Sequence, residues 1–229
     1  AVAPKTPVVL TEFSGHAVWV NTAALKFAGI TRDTIAEPGG VIVKDERGEP
    51  TGLLLEGPAF RLLALVPEPS LAVKQSAITA AMQEQLERGI TSATDPGLSV
   101  SDLKIYSTIA SQTNALKIRI NGMLSAGVST ETLQAALDDW RHLKSPDNAW
   151  LQLSAVKIMG DGIPTNNKTA WLNEPYESGG NGGLLLNGET DQDRVGQLRA
   201  MIAMIHDAGL QAGTHVTGSR SIDEAVAAC

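Results

Sequence analysis

Lys157 lies in Leu151-Gln152-Leu153-Ser154-Ala155-Val156-Lys157-Ile158-Met159, followed by Gly160-Asp161-Gly162, a stretch that otherwise reads as a buried strand. Near-continuous apolar runs of this kind are typical of parallel strands covered on both faces. An unpaired ammonium there is costly, so the lysine must find a partner, lose its charge or be chemically modified. The plain reading is a lysine that snorkels or pairs with Asp161; the chemical one is a reactive amine at a strand exit. His215 closes a second strand-like run, Leu210 to Val216. Strand alternation puts Ala155, Lys157 and Met159 on one face, and Gln211, Gly213 and His215 on one face of the other run. Small or polar neighbours fit a face that lines a reaction centre, whereas Val156, Ile158, Leu210 and Ala212 suit a helix-covered side. A lone strand histidine is equally compatible with a structural role. His142 and His206 fall late on helical patterns and read as surface residues, His206 favourably placed near a helix C-terminus.

The elements that must position these two residues alternate from Ser70 onward. Ala72 to Arg88 carries Val73, Ala77, Ile78, Ala81, Met82 and Leu86 at helical spacing and ends at Gly89. Ile90 to Thr94 reads as a short strand that stops at Asp95-Pro96-Gly97. Ser101 caps a helix to about Gln112 with Leu103, Ile105, Tyr106 and Ile109 on its apolar face, and Leu116 to Met123 is the next strand. Thr130 to Leu143 is helical through Leu133, Leu137 and Trp140. After the Lys157 strand, a long loop rich in Gly and Asn runs from Gly162 to Glu189. Thr190 then opens a helix through Val195, Leu198, Met201, Ile202 and Ile205, closed by Gly209. Four strands, each preceded by a helix, are the pattern of parallel βα units. A closed eight-stranded barrel takes roughly 250 residues, so four strands are half of one.

Residues 1–69 break the alternation. Gly40 to Asp45 and Thr51 to Leu55 form a hairpin pattern around Glu46-Arg47-Gly48-Glu49, and Asn21 to Phe27 a short helix ended by Gly29. The expected division is an appended α/β segment over 1–69 and a partial barrel over 70–229. Ser221 and Glu224 are spaced as a capping box for a helix that runs to Cys229. With no initiator Met and a helix stopping after about two turns, the chain reads as a piece of something longer.

The chain has 229 residues, a formal net charge of -7 and no basic cluster, so nucleic acid and anionic membrane are not expected partners. No run approaches the ~18 consecutive apolar residues of a membrane span. The N-terminal residues lack the layout of a signal peptide, which points to the cytoplasm unless a leader lies further upstream. Cys229 is the only cysteine, which excludes an internal disulfide and a cysteine-cluster metal site.

Val156-Lys157-Ile158-Met159-Gly160-Asp161-Gly162, then Lys168-Thr169-Ala170-Trp171-Leu172, then Glu174-Pro175-Tyr176, resemble a run of the amidohydrolase superfamily. The nearest branch, amidohydrolase family 3, contains the N-substituted formamide deformylases. Further segments agree in collinear order: Ser14-Gly15-His16-Ala17-Val18-Trp19-Val20-Asn21, Pro38-Gly39-Gly40, Gly48 to Glu56, Gly89-Ile90-Thr91-Ser92 and Thr214-His215-Val216-Thr217-Gly218. Each short motif is weak alone; their order is specific.

The resemblance implies a (β/α)8 TIM barrel of the metal-dependent hydrolase type, cleaving an amide-like C–N bond of a small molecule with a metal-activated water. It places the family's strand-four lysine on Lys157 and its strand-five histidine on His215 as metal ligands. The expected cofactor is a divalent metal, zinc, as one or two ions, bridged by a carboxylated lysine. Such a modification is chemically sensible, because burial lowers a lysine's pKa and the neutral amine captures carbon dioxide as an anionic carbamate. The family's His-x-His belongs upstream of Ala1, and its later histidine and catalytic aspartate beyond Cys229. Lys168 stands where arginine is usual, and Gly218-Ser219-Arg220-Ser221 where Gly-Asp-Arg-Ala is usual. By the same resemblance His16, Trp19, Asp161, Lys168, Trp171 and Tyr176 are candidate substrate contacts, with Glu56 a weaker one. Local packing accounts equally well for His16 and Trp19, loop anchoring for Trp171 and Tyr176, and loop capping for Asp161. Two other readings stay open: a Schiff-base aldolase using Lys157, and a regulatory barrel without catalysis. Half a barrel leaves sheet edges open, so a homodimer or larger assembly is expected.

Overall fold

The computed structural model describes residues 3–37, 39–112, 116–143, 149–165 and 168–229. Pro38 of the Pro-Gly-Gly motif, and Asn166 and Asn167 of the long loop, lie outside the described residues. The chain forms two compact units, each discontinuous in sequence. One comprises Ala1–Pro67, Gly160–Leu185 and Val216–Ala227; the other comprises Glu68–Met159, Leu186–His215 and Ala228–Cys229.

In the first unit β1 (Val9–Thr11), β2 (Ala17–Val20), β3 (Val41–Lys44) and β4 (Pro50–Leu55) make an antiparallel sheet in the order β1-β2-β4-β3, with helices α1 (Thr22–Phe27) and α2 (Gly57–Leu63). The expected hairpin is β3–β4. Its turn is tied by Asp45, whose Oδ1 accepts from Arg47 N at 2.9 Å and Glu49 N at 2.8 Å. The expected short helix is α1, and the Asn21 side chain caps it by accepting from Ala24 N. β1 and β2 went unread because three- and four-residue strands are too short for alternation to register, and the seven-residue α2 also went unread. The core joins Val18, Val20, Leu25, Ile42, Leu54 and Leu62. Gly52 sits at φ +94° in β4, and a Cβ there would overlap the Val20 carbonyl oxygen. Gly52→Ala is therefore expected to cost about 1–3 kcal/mol of stability. Urea unfolding checks this, and an unchanged midpoint would contradict the close approach.

In the second unit α3 (Leu71–Glu87), β5 (Ser92–Leu98), α4 (Val100–Ala110), β6 (Arg119–Ser125), α5 (Thr130–Arg141), β7 (Leu151–Met159), α6 (Asp191–Asp207) and β8 (Gln211–His215) alternate, and the strands pair in parallel in the order β5-β6-β7-β8. Each helix begins where a hydroxyl can accept from an orphan N–H: Ser70, Ser99, Ser129 and Thr190. Val156, Ile158, Leu124, Leu133, Leu137, Leu198 and Ile205 are buried, which makes this the helix-covered side of the sheet.

Three boundaries correct the sequence reading. α4 is capped by Ser99, in a box with Asp102, rather than by Ser101. Ser99→Ala should therefore destabilise by about 1 kcal/mol and Ser101→Ala by much less, as thermal unfolding would show. β5 does not stop at Asp95-Pro96-Gly97 but runs through it to Leu98. It is an outer strand of this sheet, where the N–H that proline lacks is dispensable, and Gly97 at φ +92° sits at the register shift. The apolar stripe of α3 buries only Met82, while Val73 and Leu86 remain exposed. The last helix, α7 (Ser219–Val226), belongs to the first unit and starts after Gly218, so Ser221 is not its cap. No helix among the described residues is long and apolar enough to cross a membrane.

Candidate active site

Parallel pairing sets Lys157 of β7 against Ser125 of β6 on one side and Gly213 of β8 on the other, and sets Met159 against His215. Paired residues of neighbouring strands share a face, as do residues two apart along a strand. Lys157 and His215 therefore stand on one face near the C-terminal ends of adjacent strands, together with Ser125, Met159 and Gly213. The Met123 Sδ-methyl group packs over Gly213 on that face, where a Cβ would overlap it. Lys157 is partly buried, and desolvation pushes its amine below the ordinary lysine range.

The first unit carries a second polar cluster. Glu56 is 0% exposed, and its carboxylate receives His16 Nδ1, at 3.1 Å from Oε1 and 2.9 Å from Oε2. The Thr169 hydroxyl donates to the same Oε1 at 2.6 Å. Glu56 N donates to the His16 carbonyl at 2.9 Å, so backbone and side chain join the same two residues. A Cβ on Gly162 would overlap Thr169 Oγ1 and crowd Glu56 Oε1, which explains the glycine in Asp161-Gly162.

Asp161, also 0% exposed, organises the loop rather than facing open space. Its Oδ2 accepts from Trp171 N and Gly218 N, both at 2.9 Å, and from the Ser221 hydroxyl; its Oδ1 accepts from Thr217 N at 2.8 Å. The loop-capping reading of this aspartate describes what the geometry shows. Ser221, expected as a helix cap, is instead one of its donors. Where the family pattern has aspartate, Ser219 Oγ accepts from Asn173 N at 3.0 Å, and Asn173 Nδ2 donates to Asp223 Oδ2 at 3.1 Å.

The remaining candidates also lie in the first unit. Trp19 is 64% exposed on β2. Lys168 is exposed, holds a left-handed backbone at φ 51°, and donates from Nζ to Ser178 Oγ at 2.8 Å. Trp171 is 2% exposed, with the Arg220 guanidinium 4.3 Å from its ring centroid, so it anchors the loop. Tyr176 is half-buried and donates its hydroxyl to the Ala170 carbonyl at 2.8 Å; burial raises its pKa.

Sequence reading passed over Thr169, Thr217 and Gly162, although all three lie in motifs it quoted; short polar and glycine residues carry no periodicity to mark them. It also read Tyr106 as plain core. Its hydroxyl donates to Asp95 Oδ2 at 2.7 Å, and burial with that carboxylate raises its pKa.

Among the described residues no group of three or more His, Cys, Asp or Glu side chains is placed to hold a metal ion. Lys157 and His215 are two donors on one face, and a carbamate on Lys157 would give the pair an anionic oxygen ligand beside an imidazole, a donor set that suits a divalent ion.

The parallel βα units define an α/β protein with polar residues at its strand ends. Along residues 1–229 the chain matches the amidohydrolase family, and it belongs to that family. It is 31% identical over 223 residues to the amidohydrolase named YtcJ of Bacillus subtilis (strain 168), covering 96% of this chain and 40% of that protein. Over 58 residues, 25% of this chain and 11% of the other, it is 47% identical to the N-substituted formamide deformylase of Arthrobacter pascens. The fold matches that of an uncharacterized metal-dependent hydrolase from Pyrococcus furiosus with a TM-score of 0.66 at 21% identity, over 97% of this chain and 43% of that one. A similar protein from Pyrococcus horikoshii OT3 gives a TM-score of 0.68 at 18% identity, over 97% and 42%. The chain thus spans less than half the length of these relatives.

Proposed function

We propose that the protein to which this chain belongs is a cytoplasmic, metal-dependent hydrolase of an amide-like C–N bond in a small molecule, built on a (β/α)8 barrel. Residues 70–229 would supply half of that barrel and residues 1–69 an appended segment. The observation that carries the reading is the placement of Lys157 and His215 on one face, near the C-terminal ends of adjacent parallel strands, where barrel enzymes keep their catalytic groups.

In this reading Lys157 and His215 hold a divalent ion, zinc in one or two copies. When bound, that ion supplies an acidified water and polarises the scissile carbonyl. The chain's own chemistry begins at Lys157. Its desolvated amine attacks carbon dioxide, an N–C bond forms, one proton leaves to solvent, and an anionic carbamate results. The carbamate removes the cost of a buried ammonium. His215 contributes a neutral imidazole nitrogen. Among the substrate-binding candidates, Asp161 and Trp171 are committed to holding the loop. The remaining substrate contacts of this reading are His16, Trp19, Lys168 and Tyr176.

The test is protein made from the complete reading frame. Expected are tightly bound divalent metal by elemental analysis and hydrolysis of N-substituted formamides or related amides. Borohydride reduction with an aldehyde or ketone substrate should leave Lys157 unmodified. Metal-free protein with full activity would overturn the metal dependence, and a reduced adduct on Lys157 would replace the hydrolase with Schiff-base chemistry. The 229-residue chain itself should self-associate, because β5 and β8 are outer strands of the described sheet. Sedimentation showing a monomer at high concentration would remove that part of the proposal.

A further inference from the structure

The sheet face that carries Lys157 has a second polar end. At the N-terminal ends of β5, β6 and β7, register sets Ser92 beside Arg119, Thr94 beside Asn121, and Asn121 beside Gln152. Alternation along β6 carries this face from Arg119 and Asn121 to Ser125, the partner of Lys157. From Gln152 to Lys157, β7 runs about 17 Å, so the two ends are separate places. A pocket of about 300 Å³ lies at the N-terminal end, lined by Ser92, Thr94, Arg119, Asn121 and Gln152, and among the described residues no acidic side chain lines it. Barrel interiors ordinarily stack Val, Ile and Leu in layers; this level of the sheet carries hydrogen-bond donors instead. Ser154 Oγ donates to Asn121 Oδ1 at 3.0 Å, which occupies the acceptor of that amide and leaves its nitrogen to donate. Arg119 is exposed, its guanidinium 5.6 Å from the ring centroid of Trp150, and it enters no ion pair among the described residues. In a chain of formal net charge -7, an uncompensated cation among donors is a local departure.

We propose that the N-terminal ends of β5, β6 and β7 form an oxyanion-binding site centred on Arg119, which takes a carboxylate or phosphate group. The site is independent of the proposed hydrolysis and lies at the opposite end of the strands. A guanidinium presents a planar fork that meets carboxylate and phosphate oxygens two at a time. The Trp150 ring restrains that fork through its face and leaves the N–H donors free to bind. The hydroxyls of Ser92 and Thr94 and the amide nitrogens of Asn121 and Gln152 supply donors for the remaining lone pairs of the anion. An apolar or cationic occupant would leave those donors unpaired, at a cost that rises as the pocket is covered. The oxyanion has two possible sources: a free small molecule bearing a carboxylate or phosphate, or an Asp or Glu side chain of the longer protein, the relative from Bacillus subtilis being more than twice the length of this chain. The recognising chemistry is the same for both.

Calorimetric titration of the 229-residue chain with inorganic phosphate and with acetate, at constant ionic strength made up with chloride, should show saturable binding. Arg119→Ala should weaken it roughly tenfold and Thr94→Val roughly threefold, the losses expected for a charged and a neutral hydrogen-bond partner. Thr94→Val suits a strand, so it keeps the test open should Arg119→Ala fail to fold. Arg88→Ala removes the same charge from an exposed guanidinium paired with Glu84 and should leave binding unchanged. No saturable binding, equal binding in wild type and Arg119→Ala, or equal losses in the Arg119 and Arg88 variants, would overturn the site. The complete protein separates the two sources. Phosphate binding that again depends on Arg119 assigns a free oxyanion. If phosphate does not bind, a lowered urea midpoint in Arg119→Met assigns a carboxylate of the longer chain, because that variant keeps the stem over Trp150 and loses only the charged fork. A complete protein that neither binds phosphate nor loses stability in Arg119→Met would overturn the proposal, whether or not it hydrolyses amides.

Discussion

Lys157→Ala in the complete protein is expected to remove bound metal and to lower kcat/KM on the order of a thousandfold or more. The two losses should come together, because alanine deletes the side chain that modification would turn into an anionic oxygen ligand. Loss of the activated water and of carbonyl polarisation removes several kcal/mol of transition-state stabilisation, and each ~1.4 kcal/mol is tenfold in rate. Lys157→Arg should be as damaging, since a guanidinium stays protonated and cannot take up carbon dioxide. His215→Ala should also lower metal occupancy. Wild-type protein prepared without carbon dioxide should regain part of its metal and activity when bicarbonate is added, and neither Lys157 variant should respond. Elemental analysis and progress curves on the same samples give the reading. An alanine variant with normal metal and normal turnover would end the bridging role for Lys157.

That prediction uses the part of the molecule most legible in the sequence. The run from Leu151 to Met159 announces a buried strand, and the alternation of Val156 and Ile158 with Lys157 states which side the helices cover. The observed burial of Val156 and Ile158, and the pairing of Lys157 with Gly213, follow that alternation. Helix starts were readable where one hydroxyl stood alone, as at Thr190. They were misread where two competed, as at Ser99 and Ser101, because local spacing does not say which hydroxyl receives the orphan N–H. β5 defeated the reading for a different reason. Asp-Pro-Gly is a turn signal, but an outer strand tolerates a proline, a condition set by its position in the sheet and invisible along the chain. The first unit was the least legible. Its polar clusters join residues such as Glu56 and Thr169, 113 positions apart. The family motifs flagged His16 and Asp161 without revealing that one is held by a buried glutamate and the other is saturated by four donors.

Asp161→Ala is expected to destabilise the chain by about 3–5 kcal/mol, the range for breaking a buried charged network by removing one member. The wild-type carboxylate takes three backbone N–H groups, from Trp171, Thr217 and Gly218, and the Ser221 hydroxyl. Those backbone donors cannot be mutated away, and an unsatisfied buried donor costs about 1–3 kcal/mol. Relief from burying the carboxylate itself offsets part of the sum, which is why the expected total falls below four separate penalties. Asp161→Asn should recover little, because its amide nitrogen would point a donor at donors. Ser221→Ala alone should cost about 1.5–3 kcal/mol, as for a hydrogen bond to a charged group. Combined with Asp161→Ala it should add almost nothing, since its partner is already gone. Urea unfolding of the four proteins closes the cycle. If Asp161→Ala shifted stability by less than 1 kcal/mol, or if the two substitutions added in full, the carboxylate would not be the clasp of this loop. The residue would then be available for the substrate contact that its motif first suggested.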